Sequence, residues 1–171
     1  ELLADNRVDP TADGGSPLYV ALNDGTKEVL MAVLQHQSML LFERYYAVFR
    51  RAIELRRLDA VTMILADARF DPTQSGLAFL IIAFDEDSPE AFQALLDDGR
   101  VNPNSPPALK AACSFPGRSA FVKMLLADKR VNPAVVGNER LITAVNLSDA
   151  ETVQLLLDDK RVSWAHIMYY D

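Results

Sequence analysis

Ile64-Leu65-Ala66-Asp67-Ala68-Arg69-Phe70-Asp71-Pro72 is one copy of a nine-residue phrase that returns along the chain at a nearly constant interval. It also stands as Leu2-Leu3-Ala4-Asp5-Asn6-Arg7-Val8-Asp9-Pro10, as Leu95-Leu96-Asp97-Asp98-Gly99-Arg100-Val101-Asn102-Pro103, and as Leu125-Leu126-Ala127-Asp128-Lys129-Arg130-Val131-Asn132-Pro133. A fifth copy, Leu156-Leu157-Asp158-Asp159-Lys160-Arg161-Val162-Ser163-Trp164, ends on tryptophan instead of proline. The prolines are 62, 31 and 30 residues apart, and Trp164 lies 31 beyond Pro133. The long interval is two periods. Val33-Leu34-Gln35-His36-Gln37-Ser38-Met39-Leu40-Leu41 fills its middle, with the apolar positions kept and the Arg and Asp-Pro lost. A period of this size predicts an array of small units, each burying its apolar face on the next.

Between phrases lie two short helical patterns. In the first, Ser16-Pro17-Leu18-Tyr19-Val20-Ala21-Leu22 predicts a helix with Ser16 as N-cap and Pro17 at the first helical position. Asn23-Asp24-Gly25 ends it, glycine being the residue that takes a left-handed conformation without steric cost. Lys27-Glu28-Val29-Leu30-Met31-Ala32-Val33-Leu34 then reads as a second helix, apolar on one face. Ala21, Ala52, Ala83, Ala112 and Ala144 share one slot of the first helix, where close helix approach demands a small residue. In the fourth unit, Pro107-Ala108-Leu109-Lys110-Ala111-Ala112-Cys113 fits this frame only with a shorter preceding loop and a longer turn, Ser114-Phe115-Pro116-Gly117.

These motifs resemble ankyrin repeats of a divergent, short-period kind. Ser16-Pro17-Leu18-Tyr19-Val20-Ala21 is similar to that family's Thr-Pro-Leu-His-x-Ala opening, and Gly25-Thr26-Lys27-Glu28-Val29-Leu30 to its turn and second helix. The resemblance covers the chain as about five repeats, at 11–41, 42–72, 73–103, 104–133 and 134–164, with partial repeats at both ends. It departs from the family in its period, in Arg56 and Asp87 where the turn glycine belongs, and in having no histidine in the opening motif. It implies an all-α, ankyrin-type helical solenoid spanning 1–171 as one domain, with short β-hairpin-like finger loops between repeats. Because the chain opens inside one phrase and stops just past another, we expect a piece of a longer array or of a longer protein.

Composition narrows the function. With 171 residues, half of them apolar, the chain can bury a substantial core. A net charge of −7 argues against nucleic acid, whose binding needs a basic surface. The longest unbroken apolar run, residues 77–84, is far short of a membrane span. A single cysteine excludes an intrachain disulfide framework and suits a reducing, intracellular and cytoplasmic or nuclear setting. No residues converge for catalysis: His36 reads as a surface residue at a helix end, His166 lies several repeats away, and Cys113 reads as a structural thiol in a small buried slot. No cofactor or metal pattern is present. Asp85-Glu86-Asp87, Asp97-Asp98 and Asp158-Asp159 read as solvated turns and helix ends.

The Asp-x-Arg pair recurs in every phrase but the degenerate one (Asp5/Arg7, Asp67/Arg69, Asp98/Arg100, Asp128/Arg130, Asp159/Arg161). It reads as a structural device in which arginine meets helix C-terminal carbonyls and aspartate holds it. The alternative is a charged ladder that reads an extended partner. Asp9, Asp71, Asn102, Asn132 and Ser163 share the slot before the phrase-ending residue and predict Asx- or Ser-type turns. Val8, Phe70, Val101, Val131 and Val162 precede them and should stack from repeat to repeat.

The expected function is protein–protein recognition by a non-catalytic adaptor or scaffold segment, through finger loops and a concave face. The rival reading is a targeting module of a larger enzyme or effector whose catalytic domain lies elsewhere. One candidate site is Phe42, Arg44, Tyr45 and Tyr46, aromatic and basic residues where a polar finger belongs. The same residues, with Phe49, equally form the buried stripe of an extended first helix. Arg50 and Arg51, with Arg44, Arg56 and Arg57, make a locally basic patch suited to an acidic peptide or phosphate; its bland alternative is a face solvated and paired with Glu43, Glu54 and Asp59. On the turn ends, Leu55, Asp85, Glu86, Phe115 and Leu147 complete the candidates. The chain is expected to be a monomer with a protein partner, and the apolar Trp164-Ala165-His166-Ile167-Met168-Tyr169-Tyr170 offers an end-to-end contact.

Overall fold

The computed structural model describes residues 12–36, 42–104, 108–133 and 139–161. Among them are ten α-helices and no strand. They are α1 (Ala12–Asn23), α2 (Lys27–Leu34), α3 (Phe42–Glu54), α4 (Leu58–Ala66), α5 (Gly76–Asp85), α6 (Pro89–Asp98), α7 (Ala108–Cys113), α8 (Ser119–Ala127), α9 (Glu139–Asn146) and α10 (Ala150–Asp158). The protein is all-α. Its helices fall into two compact bodies, Glu1–Arg100 and Val101–Asp171.

In the first body, α1 packs on α2, α3 on α4 and α5 on α6. Odd-numbered helices also contact one another in order, as do even-numbered ones, so three hairpins stack as two layers. The second body repeats the pattern with two hairpins, α7 with α8 and α9 with α10, joined through α7–α9 and α8–α10. The apolar stripes read from sequence make these contacts. Leu30, Val33 and Leu34 are buried on α2, Ala60, Val61, Ile64 and Leu65 on α4, and Ala91, Phe92, Leu95 and Leu96 on α6. All five alanines of the small-residue slot are buried, as are Phe70, Val101 and Val131 of the phrase.

The expected hairpin fingers are absent among the described residues. At the first finger the backbone is already helical from Ala12, so Ser16 is not a cap and Pro17 lies inside α1. At the third, Pro72–Ser75 form a 3-10 turn running straight into α5. The reason lies in the local acceptor. Asp71 Oδ1 accepts the Thr73 amide at 2.9 Å and its hydroxyl at 2.6 Å, starting a helical turn instead of an extended strand. Asn102 Oδ1 similarly accepts the Asn104 amide at 2.9 Å.

Three of the first helices end in the same turn. In repeats two, three and five, Arg56, Asp87 and Ser148 adopt φ of 57°, 49° and 56°. The next amide then reaches back to the slot alanine: Arg57 N–H to Ala52 at 2.9 Å, Ser88 N–H to Ala83 at 2.8 Å, Asp149 N–H to Ala144 at 3.0 Å. These 6→1 bonds, with 5→2 bonds beside them, are Schellman motifs. The glycine losses noted in the sequence therefore leave the turn intact. In repeat one the opposite holds, because Gly25 does not take the left-handed conformation. Its amide donates to Ala21 O at 3.1 Å, and a Cβ there would lie 2.4 Å from that same oxygen. Close approach, not positive φ, requires glycine.

Three of the recurring arginines, Arg69, Arg100 and Arg161, join neighbouring hairpins by capping the end of the preceding repeat's second helix. Arg69 donates to the carbonyls of Leu34, Gln35 and His36 at the end of α2. Arg100 donates to Leu65 O at 2.6 Å and Phe70 O at 2.7 Å. In the second body Arg130 donates to Val101 O at 3.1 Å, and Arg161 to Val131 O at 3.1 Å and to Leu126 O. Each guanidinium is aimed by the aspartate two residues before it, with N···O distances of 2.5–2.7 Å. The sequence pointed to the pair but not to which helix it serves.

Candidate functional site

The candidate residues do not gather in one place, and the structure divides them by role. Phe42 and Arg44 lie on α3, with side chains outside the described residues. Tyr45 is 1% exposed, so it is no surface anchor. Its ring packs on Phe70 at 5.3 Å between centroids, and its hydroxyl donates to Asp67 Oδ2 at 2.7 Å. Tyr46 is half-buried and meets Phe79 at 5.6 Å. Phe49 contacts both Phe70 and Phe79, at 5.9 and 4.9 Å. The aromatic segment thus supplies the buried stripe of a lengthened helix, which cross-links repeats two and three. Burial and the Asp67 carboxylate push the Tyr45 phenol well above its ordinary range.

The basic patch is likewise committed internally. Arg50 pairs with Glu54 at 3.0 Å, and Arg51 with Glu54 at 3.1 Å and with Asn23 Oδ1 at 3.2 Å. Arg56 donates to Glu86 O and Asp87 O, and Arg57 to Asp59, Leu22 O and Gly25 O. These arginines couple turns, and an acidic ligand would have to displace those bonds. Leu55 is half-buried behind the same turn, Asp85 is exposed at the end of α5, and Glu86 is half-buried beside it.

Exposed large apolar side chains occur in both bodies, among them Val20, Val29, Met31, Leu58 and Ile81 in the first; the apolar candidates open to solvent lie in the second. Phe115 is 54% exposed and Leu147 37%, each on the turn that follows a first helix. The two turns are neighbours, since the Gly117 amide donates to Asp149 Oδ2 at 3.3 Å. On α9, Ile142 and Val145 are 53% and 54% exposed. The sequence reading missed this pair. Its signal was present, because they stand three positions apart and so share one helix face. Lys110 on α7 and Glu139 on α9 make an exposed ion pair at 3.0 Å on the neighbouring turns of helix.

His36 is buried at the end of α2, contrary to its reading as a surface residue. The Cys113 thiol is buried too, and burial pushes it up to about 11, leaving it protonated at neutral pH. Among the described residues no three His, Cys, Asp or Glu side chains cluster as metal ligands, and no helix is long and apolar enough to cross a membrane. His166 and the 164–170 segment lie outside the described residues. No family model, curated protein or solved structure matches the chain.

Proposed function

We propose that the chain is a protein-recognition module, an ankyrin-like helical solenoid segment without catalytic chemistry of its own. The observation that carries this reading is the apolar group Phe115, Ile142, Val145 and Leu147, exposed on one helix and two adjoining turns. Apolar side chains clustered in the open, with a polar rim, mark binding surfaces in otherwise well-packed proteins. Support for the solenoid reading comes from the two-layer stacking within each body and from guanidinium links recurring at the repeat period. A protein partner fits a preformed surface, since little ordering entropy opposes its docking.

The test is capture of partners by the intact chain and by a Phe115→Ser/Leu147→Ser variant. Affinity for a captured partner should fall by about 30-fold or more, as for loss of a buried hot spot, while the melting temperature stays within about 2 °C. Unchanged affinity for every captured partner would remove the proposed surface.

A further inference from the structure

Within each body, stacking gives a hairpin one apolar face toward the hairpin after it and another toward the hairpin before it. Three positions mark the forward face. One stands just after the slot alanine, and Leu22, Ile53 and Cys113 are buried there. Two lie on the second helix: Leu30, Val61 and Val122 are buried at one, and at the other Leu34 and Leu65 are buried and Leu126 half-buried. The backward face is marked by the third residue of the second helix, where Ala60, Ala91 and Thr152 are buried. The direction of these faces is visible at two junctions. Ile53 and Val61 line one cavity with Ala91 of the next hairpin, and Leu34 lines another with Met63 and Ala66 of the next.

Two hairpins break this pattern, each on one side only. In the α1–α2 hairpin the backward position is Val29, 48% exposed, while the forward residues Leu22, Leu30 and Leu34 stay buried. In the α9–α10 hairpin the backward residue Thr152 stays buried, while Val145 and Leu157 at forward positions are exposed, Leu157 by 46%, and Val153 is half-buried. One molecule thus carries both halves of its own hairpin junction uncovered, a backward face at Val29 and a forward face at Val145 and Leu157. Each is the shape and chemistry that the opposite face receives wherever two hairpins meet inside a body.

We infer that the forward face of α9 and α10 stacks on the backward face of the α1–α2 hairpin in a second copy of the chain, continuing between molecules the junction that joins hairpins within them. Such a contact is heterologous: the surface never meets itself, so molecules add in series, head to tail. The inference rests on packing within each body and not on the recognition role proposed above, although Val145 belongs to both surfaces.

The test is sedimentation velocity on the whole chain. The parent should associate progressively as its concentration rises toward about 1 mM, where even weak junctions register. Val29→Glu blocks the backward face and Leu157→Glu the forward one; both side chains are exposed, so helical circular dichroism should be unchanged. Each variant alone should associate at least about tenfold more weakly, because an unpaired carboxylate would be buried in the junction. Mixed in equal amounts, the two should form a one-to-one dimer and nothing larger, since each supplies the face the other has lost. A parent that stays monomeric overturns the inference, whether residues 162–171 or another protein covers the face. So does a mixture that stays monomeric, or a single variant that associates as the parent does. Those outcomes leave the Phe115 and Leu147 surface standing, because neither substitution touches it and partner capture tests it separately.

Discussion

A guanidinium becomes a useful helix cap only when something aims it. In this protein the aspartate two residues earlier does so, which explains why Asp-x-Arg recurs as a unit. The arginine side chains are only about a third exposed, and their donors reach carbonyls that have no partner within their own helix. Arg100→Ala should therefore cost about 1–3 kcal/mol in urea denaturation, because it strips the Leu65 and Phe70 carbonyls of a charged donor and strands Asp98. Arg100→Lys should recover less than half of that loss, since an ammonium cannot serve two carbonyls and a carboxylate in one plane. Equal stability of the lysine variant and the parent would show that charge alone matters. The pair was legible in the sequence; its target was not, because Leu65 and Arg100 are brought together by stacking alone.

At the scale of the element, the turns carry the most instructive difference. Glycine at position 25 predicted a left-handed residue there, and Arg56 and Asp87 departed from that pattern. The backbone is left-handed at Arg56, Asp87 and Ser148, while Gly25 is required by contact with Ala21. Non-glycine residues in that region carry a strain of about 1 kcal/mol. Ser148→Gly should accordingly stabilise the chain by up to about 1 kcal/mol, less the backbone entropy that glycine adds to the unfolded state. Gly25→Ala should destabilise by about 2 kcal/mol or more, as the backbone must part from Ala21 O. Thermal unfolding of both variants checks the contrast, and a matching sign for the two would refute it. α3 illustrates the same limit on reading an element. Its aromatic periodicity was visible, yet only the contacts with Phe70 and Phe79 decide that Tyr45 belongs to the interior.

For the molecule as a whole, the aspartates that aim the arginines set its response to acid. Arg69 hydrogen bonds hold Asp67 down to about 2, against the opposing effect of burial, and Arg100, Arg130 and Arg161 lower Asp98, Asp128 and Asp159 in the same sense. A carboxylate lowered in the folded state stabilises it above the unfolded value of about 4 and loses that contribution as the pH falls through the folded value. Stability should thus hold from pH 7 to about 5 and decline between about 4 and 2, in both bodies. Urea midpoints across that range would show it, and Asp67→Asn should remove part of the slope; midpoints constant down to about pH 2.5 would contradict it. The period, the helical pairs, the buried alanine slot and the arginine–aspartate units were determined by the sequence alone, because each is a matter of local spacing and residue type. Which helix ends the arginines cap, which aromatic rings lie inside, and that the described loops at 12–16 and 72–75 wind as α and 3-10 turns were decided only by the tertiary structure. These depend on distances between residues some thirty positions apart, which only the packing of one hairpin on the next establishes.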